Sequence, residues 1–349
     1  MRCVAVTPGS ARTHHVVDLP APVPRDSQVL VRMLEVGLCG TDGEINDGLY
    51  GEAPRGDGLL VLGHEGLGRL ADGTLVVPMV RLPCPDCPNC AVESQDMCIS
   101  GGFTERGIKG LHGMICEYLV EDPRFLIEIP ESARGYGVLM EPMSVVAKGL
   151  RQAELIQQRL RWAPKRALVL GAGPIGLLAT LALRTQGWET VTVARKPATG
   201  AKAAIAAAAG AVYRSTADLA ISELSAGEKP FDLIFEATGS AAAAFDCIGA
   251  LAVNGVLCLT SVTAGDSLKN IPVDRVNREL VLGNKLIFGT VNANRVDFLQ
   301  GLSILQAIDR RFPGLLGRLF SGRVAFETAA EMFQVQAAGI KTVFAVAHD

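Results

Sequence analysis

Apolar and polar positions follow two different rhythms along this chain. Residues 28–36 alternate with period two, as a half-buried strand does, and 75–80 form a short apolar run that predicts a second strand. Glycine and proline punctuate both, so the first part of the chain reads as β-rich. From about Arg166 the rhythm changes. Short apolar runs at 166–170, 190–194, 231–235, 256–260 and 286–289 predict strands, with helical stretches at 175–186, 201–209 and 241–251 set among them. Strands alternating with helices imply a parallel, doubly wound sheet with right-handed crossovers. A helix over 298–312 and a last strand over 341–347 complete the reading.

The expected architecture is α/β in two domains, the usual outcome for 349 residues. The parallel unit is expected to span 149–291. Residues 1–148 and 292–349 are expected to join as the β-rich domain. One stretch, 167–183, is apolar enough to suggest a membrane span. It is shorter than the ~20 residues a span needs and is broken by Gly171, Gly173, Pro174 and Gly176, so a buried strand followed by a buried helix explains it better.

Composition narrows the function. A formal net charge of −3 offers no electrostatic footprint for nucleic acid or an anionic membrane. The N-terminus lacks the charged-then-apolar layout of a secretory signal, and the cysteine usage suits a reducing compartment, so a cytoplasmic enzyme is expected.

Three clusters carry candidate chemistry. Cys84, Cys87, Cys90 and Cys98 lie in one turn-rich stretch with Pro83, Pro85, Asp86, Pro88 and Asn89, which reads as an exposed loop. Four thiolates so close together can converge on one zinc ion at little loop-closure cost. Gly171, Gly173 and Gly176 form G-x-G-x-x-G between a predicted strand and helix, where a tight turn, close backbone approach and a helix N-terminus together suit a pyrophosphate. At the end of the next strand, where NAD-specific sites carry a carboxylate, stand Ala194, Arg195 and Lys196; two cations there suit a 2′-phosphate, so NADP is expected, with NAD also allowed. The third cluster pairs Cys39, in Cys-Gly-Thr-Asp, with His64, in Gly-His-Glu; a thiolate and an imidazole are donors that catalytic zinc prefers.

Taken in order, C-G-T-D, G-H-E, the four-cysteine lobe and the internal G-A-G-P-I-G, the chain resembles the zinc-dependent medium-chain dehydrogenases over nearly its full length. Within them it is similar to the archaeal-type glucose dehydrogenases, through residues 40–45, 141–146 and 284–292. The resemblance implies a GroES-like catalytic domain beside a Rossmann domain, and a homodimer or homotetramer. It implies that Cys39, His64 and Glu65, directly or through water, hold a catalytic zinc, with Glu141 at the position of a further ligand. Glu65 and Glu141 together would cancel the ion's charge, so at most one is expected to bind tightly at a time. Thr41 would bond the reacting oxygen, Glu105 and Asn292 would contact sugar hydroxyls, and Glu141 would also bind substrate. Asp42 would orient a ligand. Gly171, Gly173, Pro174, Ile175, Gly176, Arg195, Lys196 and Thr238 would bind the cofactor. One departure is Val80, where some relatives carry a polar sugar contact.

The expected activity is oxidation of an aldose, glucose at C1 to the lactone, with hydride transfer to NADP. The alternatives are another zinc dehydrogenase acting on threonine, a polyol or a simple alcohol; a zinc-free quinone or enone reductase, which Cys39, His64 and the lobe oppose; and a zinc ribbon on nucleic acid. Against the last, Arg81 is the lobe's one basic near neighbour and the overall charge is slightly negative.

Overall fold

The computed structural model describes residues 1–218, 221–224, 229–262 and 268–347. The chain divides into two compact units. One comprises Met1–Ser144, Asn292–Ser303 and Leu316–Asp349, and the other Val145–Val291 and Ile304–Leu315. The segment Ile304–Leu315, expected with the β-rich part, thus falls in the second unit.

The first unit is built on a seven-stranded sheet. Its strands run in the order Leu126–Ile129, Leu75–Pro78, Glu65–Arg69, Val29–Gly37, Lys341–Ala345 and Phe320–Ala325, with Tyr118–Glu121 also paired to Val29–Gly37. The returning C-terminal strand lies beside the central one, Val343 opposite Gly37, while Glu65 pairs with Gly37 from the other side. That register brings residues from the two ends of the sequence to one point. The core beneath is apolar, with Val4, Val31, Met33, Leu62, Ile115 and Phe344 all fully buried or nearly so.

The second unit is a six-stranded parallel sheet in the order Val212–Ser215, Glu189–Ala194, Arg166–Leu170, Phe231–Glu236, Leu251–Leu259 and Leu286–Gly289. Arg166–Leu170 is buried at every position, as a central strand covered on both faces must be. The apolar stretch 167–183 resolves into this strand and the helix Pro174–Thr185. Among the described residues no helix is long and apolar enough to cross a membrane.

Several expectations need correction. The helix foreseen over 241–251 ends at Asp246, and Leu251 already starts the strand, pairing with Phe231. The helices Met140–Gln157 and Val273–Leu282 were not foreseen. Pro142 and Gly149 argue against the first, yet a proline in the opening turn removes a donor that has no intrahelical partner anyway.

Candidate metal centres and dinucleotide cleft

Cys39 caps the helix Gly40–Asn46, with extended backbone at φ −105° and ψ 158°. Asp42, three residues on, returns a carboxylate oxygen to the Cys39 amide at 2.8 Å, while its other oxygen accepts from the Gly63 amide at 3.1 Å and lies 3.4 Å from His64 Nδ1. One fully buried carboxylate thereby ties the two donor segments together. Gly63 takes φ +90°, and a Cβ there would meet Ile115 Cγ1 at 2.6 Å, so the turn that delivers His64 requires glycine.

Ligand atoms of Cys39, His64 and Glu65 lie within 4.8 Å of one another. The Nδ1 of His64 is buried without a well-formed hydrogen bond. Burial opposes protonation of this imidazole, but Asp42 and Cys39 outweigh it and hold its pKa well above the ordinary value. A thiol, an imidazole and a carboxylate converging under an excess of negative charge fit a divalent cation, whose binding would displace that proton.

Glu65 is itself 2 % exposed and pairs with the buried Lys341 ammonium, which also donates to the Leu38 carbonyl at 3.2 Å. A Cβ on Gly37 would overlap the Glu65 carboxylate, so the central strand leaves the space this pair occupies. Lys341 escaped the sequence reading, being 276 positions from its partner. Glu141 is buried near this group but falls outside the 4.8 Å set. Burial chiefly, opposed by His64 and aided by Glu65, pushes its pKa up to about 7. Thr41 Oγ1 accepts from the Cys39 thiol at 3.8 Å.

The lobe is a loop with short 3-10 turns, yet its thiols are not exposed: Cys84, Cys87 and Cys90 are buried against one another and Cys98 is partly so. Sγ of Cys84 lies 3.7 Å from those of both Cys90 and Cys98. A disulfide would need ~2.05 Å, whereas the edge of a zinc–thiolate tetrahedron with ~2.3 Å bonds is about 3.8 Å. Burial pushes the Cys90 thiol up to about 12, while the Ser100 hydroxyl draws Cys98 down to about 6. Four thiolates could share this space only around a cation, which is what the geometry fits.

Glu105 proves buried on the short strand Thr104–Arg106, not a solvated loop carboxylate. It pairs with Arg81 at 2.9 Å and accepts from Asn292 Nδ2 at 2.8 Å. The structure thus joins the two residues read as sugar contacts, although 187 positions separate them.

In the second unit the glycine turn encloses one side of a cavity of about 1010 Å³. Gly171 sits at φ +104°, and a Cβ on Gly176 would overlap the Gly171 carbonyl oxygen, so helix and strand pack closely. Nothing lies within 4 Å of the place a Gly173 Cβ would take, at the N-cap of helix Pro174–Thr185, leaving backbone open to a phosphate. Thr238, Arg195 and Lys196 line the same cavity, joined by Lys202, which sequence reading missed within its alanine-rich helix. Burial, then Lys196 and Arg195, lower the Lys202 pKa, the mark of cations crowded where an anion fits.

A model for the glucose dehydrogenase C-terminus matches residues 134–346, and one for the alcohol dehydrogenase GroES-like domain matches 25–131. A glucose 1-dehydrogenase of Methanocella arvoryzae is 46% identical over 342 residues, 95% of each chain, and one of Thermoproteus tenax is 38% identical over 99% of each. Among solved structures, a Haloferax mediterranei glucose dehydrogenase in complex with NADP, Zn and gluconolactone matches with a TM-score of 0.93 at 30% identity, covering 100% of both chains. The Escherichia coli galactitol-1-phosphate dehydrogenase, at 19% identity and a TM-score of 0.80, shares the fold.

Proposed function

Because this chain belongs to the glucose dehydrogenase family of zinc-dependent medium-chain dehydrogenases, we propose that it oxidises an aldose, glucose at C1 to the lactone, with NADP as hydride acceptor. The observation that carries this reading is the convergence of Cys39, His64 and Glu65 within 4.8 Å, in a chain that aligns over its whole length with an NADP- and zinc-bound glucose dehydrogenase. We take the first unit as catalytic and the second as dinucleotide-binding.

Cys39, His64 and Glu65 hold the catalytic zinc, with Glu141 available as a replacement ligand. Zinc held there would supply the Lewis acidity that a sugar hydroxyl, otherwise far too weak an acid at neutral pH, needs to lose its proton, and NADP would serve as the hydride acceptor. Asp42 fixes both ends of the donor set through its bonds to the Cys39 and Gly63 amides. Lys341 pairs with Glu65 and offsets its charge, so that the site stays electrophilic with Glu65 in the donor set. Thr41, beside Cys39, receives the hydroxyl proton and passes it towards solvent. Glu105 and Asn292 orient the sugar by its other hydroxyls. The turn Gly171 to Gly176 cradles the pyrophosphate, Thr238 borders the cofactor, and Arg195, Lys196 and Lys202 meet the 2′-phosphate. Cys84, Cys87, Cys90 and Cys98 would hold a second, structural zinc.

The strand Leu286–Gly289 ends its sheet, and near it in sequence or sheet order stand exposed Val253, Val281, Leu282 and Ile287. An edge with no strand partner among the described residues, flanked by apolar side chains, suits a second copy of the chain, giving a dimer. Nine cysteines, none of them in a disulfide, suit a reducing, cytoplasmic setting.

Initial rates across aldoses, polyols, threonine and short alcohols, with NADP and with NAD, test the assignment. Preference for an aldose with NADP, lost on chelation and restored by zinc, is the expected outcome. Preference for threonine, a polyol or a simple alcohol, or full activity after all metal is removed, overturns it.

A further inference from the structure

The residues read as sugar contacts are fastened to the four-cysteine lobe through one of its residues, Asp96. Arg81 and Glu105 face each other across two short antiparallel strands. Glu105 Oε1 accepts from Arg81 Nε at 2.9 Å and from Asn292 Nδ2 at 2.8 Å, and Arg81 Nη2 forms an ion pair with the same oxygen at 2.9 Å. Arg81 also donates through Nη1 to the Asp96 carbonyl at 3.2 Å. The Asp96 carboxylate accepts from Asn294 Nδ2 at 3.1 Å, only two residues beyond Asn292. The result is a closed ring: Glu105, Arg81, Asp96, Asn294, the backbone back to Asn292, and Glu105 again. Arg81, Glu105, Asp96 and Asn294 are each less than one-tenth exposed, so solvent screens these bonds little. Phe103 stacks under Arg81 at 3.8 Å, with the Lys109 ammonium 4.4 Å from the same ring, which limits how Arg81 can swing.

Asp96 stands two residues before Cys98. The buried cluster of this lobe consists of its cysteines, with no larger apolar side chain among them. Its shape therefore depends on whatever binds the four thiols, and so does the place of Asp96. A lobe metal would then act on the sugar pair at two points, through the carbonyl to Arg81 and through the carboxylate to Asn294.

We propose that Arg81 is a positioning residue anchored on Asp96, through which the metal-loaded four-cysteine lobe sets the orientation of Glu105 and Asn292 and so tunes affinity for the sugar. This rests on the reading of Glu105 and Asn292 as sugar contacts given above. Glu105 receives two hydrogen bonds and a further guanidinium contact on one oxygen, and holding that oxygen presents the other to a hydroxyl. Arg81 touches no substrate in this scheme.

The test uses zinc-loaded full-length enzyme carrying Arg81→Met, Arg81→Lys, Glu105→Gln, the Arg81→Met/Glu105→Gln pair, and Cys98→Ser. Sugar and NADP KM, kcat, zinc content and NADPH binding by fluorescence are measured for each. Arg81→Met is expected to raise glucose KM about ten- to hundredfold, the scale of losing a hydrogen bond to a charged group, with kcat and NADPH binding close to wild type. Arg81→Lys, which keeps one charged donor, should fall between. The pair should be no worse than its more affected member, because both changes act on one carboxylate. Cys98→Ser should lose one zinc and raise glucose KM in the same direction. An unchanged glucose KM in Glu105→Gln refutes the sugar-contact reading itself. A raised KM in Glu105→Gln with an unchanged one in Arg81→Met leaves that reading standing and overturns the positioning role. Unchanged glucose KM in Cys98→Ser after loss of one zinc overturns the lobe's part. If Arg81→Met does not bind NADPH, Arg81→Lys decides: wild-type glucose KM there overturns the proposal, since one ammonium cannot span both Glu105 and the Asp96 carbonyl as the guanidinium does.

Discussion

Replacing Lys341 with methionine isolates the buried pair that Lys341 forms with Glu65, one of the proposed zinc donors. The Lys341 and Glu65 side chains are 1 % and 2 % exposed, so neither charge is repaid by water. Methionine fills the volume but leaves the Glu65 carboxylate without its counter-charge, and stranding one member of a buried pair costs about 3–5 kcal/mol. At roughly 2–4 °C per kcal/mol for a domain of this size, the first unit should melt about 6–20 °C lower. Lys341→Met/Glu65→Gln removes the stranded charge and should recover most of that loss, whereas an exposed pair would show additive effects near zero. Differential scanning calorimetry on zinc-free protein at matched concentration reads all four corners of the cycle. The pH dependence has a definite sign. Burial lowers the Lys341 pKa, but Glu65, Cys39 and Glu141 overcome it, and the folded value is raised. The pair's contribution is therefore complete below the unfolded lysine value of about 10.4 and fades only as pH climbs beyond it through the folded value. The gap between wild type and Lys341→Met should not narrow between about pH 7 and 9, and ionisation of Glu141 near pH 7 should widen it. The reasoning is refuted if Lys341→Met melts within about 1 °C of wild type, far inside the loss expected for a buried pair, or if the double variant is no better than the single.

Arg195→Ala should lower kcat/KM for NADP while sparing NAD; because Arg195 and Lys196 are exposed, the loss should be about 1–2 kcal/mol, or roughly 5- to 30-fold, shrinking at high salt. Gly63→Ala forces a Cβ at φ +90° against Ile115 and Val36, and denaturant titration should show about 2–5 kcal/mol of destabilisation from the left-handed backbone and the overpacking combined. Gly176→Ala drives a methyl into the Gly171 carbonyl, so NADPH binding measured by fluorescence should fall sharply while zinc content is retained.

Much of this was legible from residue order alone because the signals are local. The turn Gly171–Gly176 needs three glycines within six residues, and the lobe needs four cysteines within fifteen. Cys39 stood out through its donor chemistry and its Cys-Gly-Thr-Asp setting; the φ +90° of Gly63 then explained why glycine precedes His64. Boundaries were less secure. Ser240 caps a helix that the alanines could have prolonged, but pairing of Leu251 with Phe231 claims the following residues for the sheet. Arg81, read only as the lobe's one basic near neighbour, proved to be a buried ion-pair member, because only the strand register sets it opposite Glu105.

Residue order by itself determined the chemistry available: soft donors for two metal sites, an open turn for a pyrophosphate, and cations in place of an acidic ribose contact. Tertiary structure decided which charges offset one another. Lys341 reaches Glu65 only because the last strand returns beside the strand ending at Gly37. Asp96 meets Asn294, and Asn292 meets Glu105, across nearly two hundred residues. Such pairings leave no periodic trace along a chain, since a buried charge requires a partner close in space and sets no condition on where in the sequence that partner lies.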